Sequence, residues 1–286
     1  MAAVGVAAGA AATGLGVLTK QAVSAYSAYE QLTGGVDTLF DKAYDQVMQY
    51  ADNAYKTAGL SANAYMDTVT SFSASLIASL DRDTTAAAEK ADMAITDMSD
   101  NANKMGTSME SIQNAYQGFA KQNYTMLDNL KLGYGGTKEE MERLLARAEE
   151  ITHIHYDISS FADITDAIHV IQKDLGITGT TAIEAKKTIE GSINMTKAAW
   201  ENLVTGLGDK NADLDELIGN FVDSAETMLT NLLPVVEKSI AGIGDLIVDL
   251  APIIADKLPG IISEVLPNLL KAASDLVQGL ITGIIS

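Results

Sequence analysis

The clearest hydrophobic pattern lies late in the chain. Leu214, Leu217, Ile218, Phe221, Val222, Ala225, Met228, Leu229, Leu232 and Leu233 recur one helical turn apart, singly or in adjacent pairs. Asp215, Glu216, Asp223 and Glu226 fall off that line. The period predicts one apolar stripe on an amphipathic helix. Such a stripe serves as core, as partner surface, or as the seam of a coiled coil or bundle. From Leu232 the texture changes to "LLPVVEKSI", "LAPIIADKL", "LPGIISEVL" and "LPNLLKAAS". Proline fits the first turn of a helix, where its missing N–H costs nothing. The spacing therefore predicts short apolar helices restarted at Pro234, Pro252, Pro259 and Pro267. Glu237, Asp245, Asp249, Asp256, Glu264, Lys271 and Asp275 interrupt the segment, so it is not a simple membrane span. No capping signal follows "LITGIIS", and the chain is expected to continue into something longer.

Upstream, helix stops and starts alternate. The run 36–58 ends at Gly59, and Ser61 is placed to cap its successor. A second run ends near "LDRDTT" (80–85), with Asp83 or Thr84 as the next cap. In "MGTSME" Gly106 is the stop, Thr107 the cap and Glu110 the residue that closes a capping box. "LGYGGTKEEMERLL" (132–145) repeats the logic with Gly133, Thr137 and Glu140, and "ITGTTAIE" (177–184) with Gly179, Thr181 and Glu184. These junctions predict an all-α chain of amphipathic helices of roughly 20 residues, bundled or coiled-coil-like. Its expected divisions are an apolar Ala/Gly-rich helix (1–35), a central helical module (36–208), and an amphipathic, then Pro-punctuated, segment (209–286).

The opening "MAAVGVAAGAAATGLGVLT" is uncharged until Lys20, close to the length that spans a bilayer. It lacks the basic start of a signal peptide. Gly5 and Gly9 form a G-x-x-x-G pair that lets helices approach closely. A packed small-residue helix and a membrane-active one both fit. The full 286 residues carry a formal net charge of −19, which repels nucleic-acid phosphates and argues against specific nucleic-acid binding. Cysteine is absent, so disulfides, thiolate zinc sites and cysteine nucleophiles are excluded.

Candidate chemistry is sparse. Around Gly133 and Gly136 the order Gly-Thr-Lys inverts the Gly-Lys-Ser/Thr of a phosphate loop, and no buried strand aims it. "HIHY" (153–156) and His169 hold every histidine, but His169 lies fourteen residues beyond His155 with nothing to fix a zinc geometry. "DKNADLDELIGN" (209–220) starts like a calcium loop, yet Leu214 and Asn220 stand where Gly and Glu are required. An acidic turn capping the next helix accounts for it better. No G-x-S-x-G elbow or H-E-x-x-H appears. No enzyme, cofactor or metal is expected.

The strings "YADNAYKTAGLSANAYMDTVTSFSASLIASL", "ADMAITDMSDNANKMGTSMESIQNAYQGFAKQNYTMLDNLKLGYGGTKEEMERLL" and "IHVIQKDLGITGTTAIEAKKTIEGSINMTKAAWENLVTG" resemble tail tape measure proteins of long-tailed phages and prophages of Gram-positive bacteria. The resemblance covers residues 50–230 and extends more loosely into the Pro-punctuated repeats. At "HIHY" the sequence departs from the family pattern. The resemblance implies a virion protein present in several self-associating copies inside the tail tube, made in the bacterial cytoplasm and assembled with tail-tube and tail-assembly proteins. It implies roles in setting tail length and in helping the genome cross the host membrane. A fully helical chain of this length reaches roughly 430 Å, short for the ruler of a long tail. Two other readings fit the residues: a membrane-active, pore-forming helical protein, and a bacterial helical scaffold or adaptor.

Overall fold

A computed structural model of the chain describes the backbone of residues 2–257 and the side chains of residues 16–240. The described residues form ten α-helices and two 3₁₀ turns, with no strand. In order they are α1 (Ala2–Phe40), a 3₁₀ turn (Asp41–Ala43), α2 (Tyr44–Thr57), α3 (Ala62–Ser79), α4 (Thr84–Met105) and α5 (Met109–Phe119). A second 3₁₀ turn (Leu127–Leu130) precedes α6 (Lys138–Thr152), α7 (Phe161–Asp174), α8 (Thr180–Lys187), α9 (Ile189–Gly206) and α10 (Leu214–Lys257). The all-α fold expected from the capping signals is present. Contacts divide the chain into units 1–231 and 232–286, a boundary that falls inside α10.

Within the first unit α4 is the hub, packed by α1, α2, α3, α5, α7 and α8. Ala87, Ala88, Ala91 and Ala94 are fully buried along it. A helix surrounded on all sides needs small side chains where neighbours approach closely, and this explains the alanine-rich composition. Phe40, Tyr65, Met66, Leu76, Ile95, Met98, Ile112, Tyr116, Phe119 and Met141 fill the space around it. Phe72 meets Phe161 edge-on at 6.0 Å, joining α3 to α7. The hub is apolar in mass but not in content, because Asp97, Asp100 and Asn101 are equally buried on it.

Several expectations about boundaries need correction. The run 36–58 is two helices, broken where Asp41 turns to positive φ (45°). The expected division after residue 35 lies inside α1, and Val36 and Phe40 belong to the core. Their burial draws the end of the apolar helix into the body. Pro234 and Pro252 lie inside α10 and do not restart helices. Proline removes one i→i−4 bond, and here the helical apolar pattern on both sides carries the helix past each loss. Pro259 and Pro267 lie outside the described residues.

Candidate functional site

The helix junctions show which local signals operate. Gly59 takes positive φ (66°) and Ser61 caps α3 by accepting the Ala64 N–H, as the sequence predicts. Asp83 caps α4 through the N–H groups of Thr85 and Ala86. Gly106 ends α4 in the left-handed region. The cap that follows is Ser108, accepting the Ser111 N–H, and not Thr107 with Glu110. Thr107 instead donates to the Asn129 carbonyl, a tertiary bond that pulls the hydroxyl away from the helix start.

At 132–145 Thr137 caps α6 through the Glu140 N–H. Glu140 reaches past the cap to the Gly135 N–H and also holds Arg143, so the box does not close on Thr137. The Arg143 hydrogen bond, helped by that from Gly135, holds the Glu140 carboxyl below its ordinary range. Gly133 has positive φ (86°) but sits in the loop; Lys131 in the left-handed region ends the preceding turn. Gly136 is where the loop crosses its own backbone, since a Cβ there would meet the Thr125 carbonyl oxygen.

The third box is absent for a different reason. Gly176 (φ 65°) stops α7, with the Ile177 N–H bonded to the Gln172 carbonyl. Gly179 is the N-cap position of α8, Thr181 lies inside the helix and is buried, and Glu184 closes nothing. The cap comes from α4. Asp100 accepts the Gly179 N–H on one oxygen and the Thr181 N–H, at 2.7 Å, on the other. Asn103, on the same face of α4, donates to the Thr181 hydroxyl at 2.8 Å.

One turn earlier on α4, Asp97 faces His169 of α7, with Oδ2 2.8 Å from Nδ1. Burial pushes the Asp97 carboxyl up, and His169 pulls it back down. The hydrogen bond to Asp97 raises the imidazole, against its own partial desolvation. Asp92 takes the Tyr65 hydroxyl at 3.0 Å, and Lys90 pairs with Asp166. The polar residues of α4 thus clamp α3, α7 and α8 around it. His153 ends α6 in a left-handed conformation, and His155 pairs with Glu149 at the surface. Among the described residues no group of three His, Cys, Asp or Glu could hold a metal ion. The sequence offers His169 only as a zinc-ligand candidate and does not single out Asp97 and Asp100. Their one local signal is acidic residues spaced three apart on the alanine face of α4.

The acidic turn before α10 behaves as a capping loop. Asp209 accepts the Asn211 N–H, and Asp213 accepts the Glu216 N–H at the first turn of α10. Beside it a cleft of 300 Å³ is lined by Tyr26, Tyr29, Asp52, Asp209, Asp213 and Glu216 among others. Burial, with Asp52 nearby, pushes the Tyr29 phenol up to about 12.

The expected apolar stripe on α10 is not core. Across residues 214–240 the one buried residue is Ser224. Leu214, Leu217, Phe221, Ala225, Met228 and Leu232 are half-buried, whereas Ile218, Val222, Leu229 and Leu233 are exposed. Phe221 packs on Trp200 with ring centroids 5.3 Å apart. The pattern forms the predicted helix, but its apolar stripe is only partly covered, one edge half-buried and the other facing solvent. No protein-family model, curated protein or solved structure matches this chain.

Proposed function

We propose that this chain is a phage tail tape measure protein, or a portion of one: a structural virion protein that lies in several copies inside the tail tube. In that role it sets tail length during assembly and assists passage of the genome across the host membrane. The observation that carries this reading is that the strings resembling the family fall on one helical body, from α2 through α9. Two further features support it. The long helices α1 and α10, of 39 and 44 residues, are suited to side-by-side packing with other copies or with tail-tube proteins. The formal charge of −19 lets the chain share a tube with DNA without adhering to it.

Mass spectrometry of purified tails from a phage or induced prophage encoding the chain tests the proposal. Peptides from α2–α9 are expected at several copies per tail. Tails free of these peptides would remove the reading. A second reading rests on the exposed apolar residues of α10, which also suit a membrane-active helical protein. No described helix is long and apolar enough to cross a membrane. Leakage of liposomes caused by the isolated chain would favour that second reading.

A further inference from the structure

We infer that residues 214–231 of α10 form a releasable strap, held on the body along a side that is only half-buried and able to detach while α1–α9 stay folded. The inference rests on packing and is independent of the tape measure reading. An amphipathic helix at the surface of a domain ordinarily turns its apolar stripe inward. Here only one edge of the stripe does so, with Leu214, Leu217, Phe221 and Met228 half-buried. Ser224 is the residue buried against the body, while Ile218, Val222 and Leu229 face solvent.

The attachments are few and of both kinds. Leu217 and Leu214 close over Gly206 of α9, where an added Cβ would meet their methyl groups. Thr196 of α9 donates its hydroxyl to the Ser224 carbonyl at 2.8 Å. Asn231 donates to the carbonyls of Lys186 and Thr188 at 3.4 and 3.2 Å. Phe221 is a further apolar anchor, set against Trp200 and against the small cluster of Tyr55, Ala185, Met195, Ala198 and Ala199. The underside is loosely filled. The 300 Å³ cleft runs beside Leu217 and Asn220, and a second of 590 Å³ lies along Ser224, Thr227 and Asn231. The Tyr55 hydroxyl borders the second cleft, buried without a hydrogen-bond partner among the described residues. Well-made interiors leave few such unpartnered groups.

The hinge is equally defined. Gly208 is pinned against α1, where an added Cβ would lie 2.6 Å from Tyr26 Cβ and 2.7 Å from the Ala22 carbonyl oxygen. Beyond it, Asp209 binds the body, with its N–H on the Gly206 carbonyl and its carboxylate on the Tyr26 phenol, whereas the Asp209–Asn211 turn and the Asp213 cap are local bonds. The hinge therefore lies after Asp209, whose bonds stay on the body while α10 moves. Elements with few buried apolar contacts open at low free energy and independently of the core.

The chain has no cysteine, which makes the test direct. Ser224→Cys and Ser73→Cys place a single thiol at buried positions, on the strap and inside α3 respectively. Under native conditions, a maleimide is expected to label the Ser224→Cys protein about 100-fold faster than the Ser73→Cys protein. Adding Phe221→Ala should speed strap labelling a further tenfold or so. A ratio under about tenfold would mean that both thiols wait for global unfolding and would overturn the inference. The unsubstituted chain supplies a second measurement through Trp200, its one tryptophan. In urea, Trp200 fluorescence is expected to change before helicity is lost, whereas coincident transitions would also overturn the strap.

Discussion

The Asp100 carboxylate accepts the backbone N–H of Thr181 at 2.7 Å, across 81 residues of sequence. With its other oxygen on the Gly179 N–H, one buried side chain supplies the N-terminal cap that α8 lacks in its own sequence. A short helix of eight residues has little stability of its own. Its start is fixed by the hub helix and not by its neighbours in sequence.

Replacing Asp100 should therefore disturb α8 and α4 together. Asp100→Ala strands buried N–H groups and is expected to lower the unfolding free energy by about 3 kcal/mol. Asp100→Asn keeps one acceptor and should lose about half as much. Urea denaturation followed by circular dichroism measures both. An alanine variant as stable as the parent would show that α8 does not depend on the cap.

The Asp97–His169 pair makes stability depend on pH. The folded chain raises the His169 pKa above its ordinary 6.5, so the proton is held more tightly in the fold than in the unfolded chain. The contribution is complete below the unfolded value and is lost as pH rises through the folded one. Burial also raises Asp97, which has the same sign. The melting temperature is expected to fall as pH rises above about 6.5. His169→Gln should flatten that slope. A parent whose melting temperature rises over this interval would contradict the assignment.

Two glycines separate close approach from mere flexibility. Gly208→Ala would place its Cβ 2.6 Å from Tyr26 Cβ, so α1 must move, at a cost of about 1–3 kcal/mol. Gly34 lies in the helical part of α1 with open space around it. Gly34→Ala is expected to stabilise by about 0.5–1 kcal/mol. Opposite signs in paired thermal melts are the result to look for.

The register of the α4–α5 junction can be tested in the same way. Ser108→Ala removes the α5 cap and should cost about 1 kcal/mol. Glu110→Ala should stay within about 0.5 kcal/mol, because its side chain is not the closing member of a box. The reverse ranking would restore the Thr107–Glu110 box.

Helix content, the stops at Gly59 and Gly106, the cap at Ser61 and the cap at Thr137 were all legible in the sequence. The reason is physical: left-handed residues and N-cap side chains act within a few positions of one another. Where a tertiary partner competes, local reading fails. Thr107 gives its hydroxyl to Asn129, so Ser108 becomes the cap; Thr181 is drawn into α8 because Asp100 caps that helix from α4. The α4 carboxylates resemble ordinary solvated acids in sequence, and only packing on all sides of the hub turns Asp97 toward His169 and Asp100 toward α8. The stripe at 214–233 shows the same division. Its period determines a helix, because 3.6 residues make a turn wherever the helix lies. Which side of that helix meets the body is a matter of what stands opposite, and opposite Ser224 stands the hydroxyl of Thr196.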